Sequence, residues 1–153
     1  MIDRTFLIFA LLSIILLSCK PSSNIETWSC FQRTEISSSL IGESESTVVI
    51  YDQVYAESKA KIILRDINLK KESVLQSTLT FDFQKEENVI EQTLKTVNWQ
   101  VISDELGVYK DGNASRLFPD IGSTLRGTQE LTENGVVKTT YDSGLVTECS
   151  AIN

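Results

Sequence analysis

The clearest pattern in the chain lies between Val74 and Gln84, where Leu75, Ser77, Leu79, Phe81 and Phe83 alternate with Gln76, Thr78, Thr80, Asp82 and Gln84. A period of two places one set on each face of an extended chain, so the segment predicts a half-buried β-strand with a largely apolar inner face. Other β-type runs follow one another at short intervals. Glu26 to Arg33 holds Trp28, Cys30 and Phe31, and Thr47 to Tyr55 is β-branched and aromatic. Between them, serine-rich and acidic Ser37 to Glu45 reads as a turn. Ala60 to Ile67 is an apolar run whose mixed pattern fits a strand or a short helix. Further on, Ile90, Leu94, Val97 and Val101 recur at helical spacing while Val97, Trp99 and Val101 alternate. The β preferences of Thr93, Thr96, Val97 and Trp99 favour the strand.

Polar intervals punctuate these runs. Glu86, Glu87 and Asn88 form a corner, and Ser103, Asp104 and Glu105 turn the chain into Leu106 to Lys110. Asp111 to Ser123, with Pro119 and two glycines, is a long loop with room for one helical turn. The carboxyl end reads as a meander of Gly127 to Leu131, Val136 to Tyr141 and Leu145 to Ser150, joined at Asn134-Gly135 and Ser143-Gly144. Asn-Gly is a hairpin signal because both residues of a two-residue turn take positive φ. About eight short strands joined by tight turns predict an all-β fold, a single antiparallel barrel or strongly bent sandwich that hides its edges.

The amino-terminal segment breaks this rhythm. Phe6 to Leu17 is apolar apart from Ser13 yet shorter than the roughly 20 residues a membrane-spanning helix needs, so it reads as an export signal, with Arg4 in its positive n-region. It ends in Leu16, Leu17, Ser18 and Cys19, with leucine three residues before the cysteine and a small residue just before it. This arrangement resembles the lipobox of bacterial lipoproteins. The resemblance implies cleavage before Cys19 and its modification with diacylglycerol and an N-acyl chain such as palmitate, anchoring the protein to a membrane through lipid. Lys20 stands where enteric lipoproteins kept in the inner membrane usually carry aspartate, which favours the outer membrane. The expected organisation is signal peptide 1–18, lipidated cysteine and polar tether 19–24, and a β-barrel domain 25–153. The tether reaches roughly 15–20 Å when extended. The alternatives are an ordinary secretory signal cut near Cys19 or a plain apolar tail.

With Cys19 acylated, Cys30 and Cys149 are the two thiols left in an exported domain, so a disulfide between them is expected, tying the first strand to the last. A redox or metal role finds no Cys-x-x-Cys spacing, and the chain has no histidine. Asp3 and Arg4 cancel, so removing the signal leaves the net charge of −7 unchanged. That balance disfavours nucleic acid and adhesion to anionic lipid, and it permits a basic protein partner.

Catalytic chemistry has few candidates. Without imidazole, and with both thiols oxidised, only carboxylates, lysines and hydroxyls remain. Glu86-Glu87 with Glu91, or Asp104-Glu105, would have to supply an acid/base pair of the glycosidase kind, but adjacent carboxylates on a turn are usually solvated charge. No Gly-rich phosphate loop or Gly-x-Ser-x-Gly motif is present. Asp111, Gly112, Asn113 and Asp120 lack the full ligand pattern of a calcium loop, and Asn113-Ala114-Ser115 is a glycosylation sequon expected to be silent in a bacterial envelope. The expectation is therefore no enzyme, no cofactor and no metal.

Trp28 early in the first strand, Trp99 followed by Asp104 and Glu105, and the Asp142-Ser143-Gly144 hairpin leading to Cys149 are together similar to small lipocalin-like domains of bacterial lipoproteins. Glu26 stands where lipocalins usually carry glycine. The resemblance implies a non-catalytic barrel binding a small apolar ligand or lipid in a cavity lined by Trp28, Leu75, Leu79, Phe81, Phe83 and Trp99. Two other readings stay open. One is a protein-binding lipoprotein such as the envelope inhibitors of lysozyme, although their inserted Ser-Ala-Ser-Gly segment is absent. The other is a structural or assembly component of the envelope.

Overall fold

A computed structural model describes residues 24–152, so the expected signal peptide, Cys19 and most of the tether lie outside the described residues. Eight antiparallel strands follow in chain order: β1 (Ile25–Glu35), β2 (Leu40–Tyr51), β3 (Tyr55–Asp66), β4 (Lys71–Glu86), β5 (Val89–Asp104), β6 (Thr124–Leu131), β7 (Val137–Tyr141) and β8 (Val146–Ala151). Each pairs with the next and β8 pairs with β1, closing a barrel. The all-β class read from the periodicity is therefore the observed one.

The ring is uneven. The β2–β3, β3–β4 and β4–β5 hairpins are long, whereas β5 meets β6 only over Val89 to Thr93, and β1 meets β8 only over Trp28 to Phe31. Closure thus happens at one end of the long hairpins. There Ala56, Phe83 and Ile90 are buried among Val48, Ile50 and Tyr141. Toward the other end the same sheet face carries Leu64 and Leu75, buried with Tyr109 and Ala114 and flanked by Val101, Val108 and Phe118. The polypeptide after β5, including a 3-10 helix at Lys110–Leu117, covers this second cluster. Register shifts in the β4–β5 ladder, which skip Lys95 and Ile102, bend the sheet between the two cores.

Several turns differ from the sequence reading. Thr47 to Tyr55 is not one strand but the end of β2, a reversal and the start of β3. Asp52 and Gln53 make that reversal at φ 51° and 57°, and the Val54 amide donates to the Tyr51 carbonyl at 3.1 Å. Two consecutive positive φ values are the mark of a type I′ turn, usually advertised by asparagine and glycine, which this stretch lacks. Likewise β2 begins at Leu40, inside the segment read as a turn. Asn134-Gly135 does reverse the chain, but only Gly135 takes positive φ (76°), in a loop closed by the Thr132 amide donating to Val136. Gly144 at 84° plays the same part between β7 and β8. The ambiguous segments Ala60 to Ile67 and Ile90 to Val101 are both strand, apart from Ile67.

Candidate functional site

Closing the short end of the barrel encloses a lumen of ≈ 240 Å³. Its apolar wall is built from inward positions of four strands: Trp28 on β1, Val48 and Ile50 on β2, Phe81 and Phe83 on β4, and Ile90 on β5. The alternation seen in the sequence explains this, because residues two apart share a face. On the opposite side β6, β7 and β8 contribute more polar groups, among them Gln129, Thr139, Tyr141 and Thr147. Several of these are paired with one another or with β5. The Tyr141 hydroxyl donates to Gln92 Oε1 at 3.1 Å, and Gln129 Nε2 to Thr139 Oγ1 at 3.4 Å. Satisfied in this way, they can face an apolar occupant without a large desolvation cost.

Of the six residues expected to line a cavity, Trp28, Phe81 and Phe83 come together here, while Leu75, Leu79 and Trp99 do not line it. Leu75 is fully buried in the second cluster. Trp99 is 40 % exposed and borders a wide polar groove of ≈ 700 Å³ across β1 to β5, whose wall includes Glu45, Lys59, Lys61, Gln76 and Asn98. The polar lumen residues of β6 to β8 were not legible, since Gln129, Thr139 and Thr147 carry no apolar periodicity. Their shared inward parity in the hairpins was the available signal.

Cys30 and Cys149 stand directly opposite in the β1–β8 pairing and are joined by a disulfide, and both line the lumen. The expected cross-link between the first and last strands is present, and it lies in the wall of the candidate site.

Tyr141 supplies a pH signature. Burial pushes its phenol from the ordinary 10.0 up to about 12. Below pH 10 the group is neutral in both folded and unfolded chains and adds no pH dependence. Between pH 10 and 12 the unfolded chain loses the proton while the fold retains it, so stability falls, by on the order of 2–3 kcal/mol from this residue. Alkaline denaturation followed by circular dichroism is expected to show this decline and Tyr141→Phe to reduce it, with Tyr109, whose phenol burial also pushes up to about 12, contributing over the same range.

The carboxylates considered for catalysis have other surroundings. Glu86 and Glu87 stand in solvent at the β4–β5 turn, and Glu91 pairs with Arg126 at 3.6 Å. Asp104 holds the chain that covers the second cluster. Its Oδ1 accepts from Ser73 Oγ at 2.8 Å and from the Val108 amide at 2.9 Å, and its Oδ2 accepts from the Tyr109 amide at 3.1 Å. Ser73 is fully buried and in turn accepts from the Leu106 amide. Asp104→Ala leaves these donors without their acceptor, for an expected loss of about 2–3 kcal/mol measured by urea unfolding. Asp111 to Asn113 lie within the 3-10 helix, and among the described residues no group of three or more histidine, cysteine or acidic side chains is placed to hold a metal ion.

No known protein family matches the chain, and no curated protein is similar enough to count as its relative.

Proposed function

We propose that this chain is a lipid-anchored lipoprotein of the bacterial envelope, with the outer membrane favoured, whose barrel binds a small apolar ligand or lipid without chemically altering it. The observation that supports this most is the ≈ 240 Å³ of space that Trp28, Ile50, Phe81, Phe83 and Ile90 surround and do not fill. Ordinary side-chain packing leaves few voids larger than a water molecule, so an apolar space of this size is a place for an occupant. Pockets for drug-sized ligands span roughly 300–1,000 Å³, which makes the fitting class here small: the end of one acyl chain or a compact amphiphile. Glu26, Gln53 and Lys85, at the end where β1 begins, also line the lumen and offer charge and hydrogen bonds to a polar head.

Trp28 makes the proposal measurable. Titration with an apolar fluorophore or a short brominated fatty acid is expected to quench or blue-shift its emission. The response survives Trp99→Phe and disappears in Trp28→Phe. A response carried only by Trp99 contradicts the lumen as the site.

The anchor has its own test. In growing bacteria, Cys19→Ser is expected to abolish palmitate incorporation and leave an uncleaved precursor. Unchanged processing refutes the anchor and leaves the lumen proposal standing.

A further inference from the structure

We propose that the end of the barrel where β1 begins rests on the membrane surface, its rim of Ile25, Tyr51, Val54, Tyr55 and Ile152 lying in the lipid interface. This deepens the preceding reading and rests on the anchor at Cys19. Large apolar side chains are usually covered, yet Ile25 is 54 % and Val54 63 % exposed, with Tyr51, Tyr55 and Ile152 also open to solvent. The register makes them one strip rather than scattered residues. Ile25 pairs with Tyr51, and Tyr51 with Tyr55, their rings 5.8 Å apart. Val54 tips the reversal between those tyrosines, and Ile152 lies alongside β1, its amide donating to the Thr27 carbonyl at 2.8 Å.

The choice of a lipid surface as occupant follows from where the chain enters. Asn24 is held against this strip by two 2.8 Å bonds with Asp52, its amide to the side chain and its carbonyl to the Asp52 amide. Only Lys20 to Ser23 separate Asn24 from Cys19, so a lipid on that cysteine keeps this end of the barrel within a few residues of the bilayer. Tyrosine beside aliphatic residues is the composition favoured at the water–lipid boundary, where the ring is buried and the hydroxyl stays wet. The charged neighbours at this end are mainly acidic, Asp52, Glu86 and Glu87 among them, which selects a zwitterionic rather than an anionic surface. Gln53, next to Val54, lines the lumen, so the proposed contact lies beside this end of the cavity. The opposite end carries its own exposed residues, Ile36, Ile67 and Leu69, but no described chain terminus.

The test uses the full chain, produced in bacteria with its own amino-terminal segment and reconstituted into phosphatidylcholine vesicles containing lipids brominated near the headgroup. Val54→Trp and Leu69→Trp are compared in a Trp28→Phe/Trp99→Phe background. The comparison is repeated with both native tryptophans kept and their signal subtracted, in case the background perturbs the fold. Expected is flotation of both variants with the vesicles, and quenching of the indole at position 54 roughly twofold or more above that at position 69. Flotation with equal quenching, or stronger quenching at position 69, overturns the docking surface and leaves the anchor intact. A chain that does not float overturns both.

Discussion

Replacing both Cys30 and Cys149 with alanine is expected to cost about 5 kcal/mol of stability in the chain-entropy treatment, the largest effect of any change considered for this fold. The size follows from their sequence separation of 119, since an intact bond removes most of the loop entropy of the unfolded chain. A domain of this length is typically stable by only 5–15 kcal/mol in total. The position of the bond sharpens the expectation. β1 and β8 pair over only Trp28 to Phe31, so little else closes the ring on that side. Hydrogen exchange in the double variant is therefore expected to accelerate first at the β1–β8 seam, ahead of the β3–β4 and β4–β5 ladders. Urea unfolding measures the total, and a loss below about 1 kcal/mol contradicts the role given to the cross-link.

The second large effect separates the two cores. Phe83→Ala and Leu75→Ala each delete a buried side chain from the same strand face, and each is expected to cost about 3–5 kcal/mol. Their consequences for binding differ. Phe83 forms part of the lumen wall, so its truncation enlarges the cavity and shifts preference toward a bulkier apolar ligand. Leu75 packs under Tyr109 and Ala114, and its loss leaves the lumen's lining unchanged. Probe titration at a temperature where both variants remain folded distinguishes them. An equal change in ligand preference contradicts the separation of the cores.

This pair also shows what the sequence could and could not convey. Alternation from Leu75 to Phe83 identified the face correctly, because side-chain parity is local. It could not say how far along the barrel each residue falls, because β4 is 16 residues long and runs out of the closed section into the covered one. Phe81 and Phe83 therefore reach the lumen, while Leu75 and Leu79 do not line it. Trp99 was misplaced for the same reason: β6 stops pairing at Thr93, leaving that part of β5 beyond the closure. The β2–β3 reversal was hidden because Asp52 and Gln53 adopt positive φ without the residues that normally announce it. The disulfide was legible from the cysteine count and the expected export alone.

Native mass spectrometry of the protein purified from the cells that produce it tests the lumen as a ligand site most directly. The intact mass is compared with the mass after denaturation, alongside a Ser58→Phe variant that puts a ring into the lumen from a nearly buried position. Expected is a reproducible extra mass that denaturation releases and Ser58→Phe abolishes. A bare protein, or an adduct that Ser58→Phe leaves in place while the variant remains folded, contradicts it.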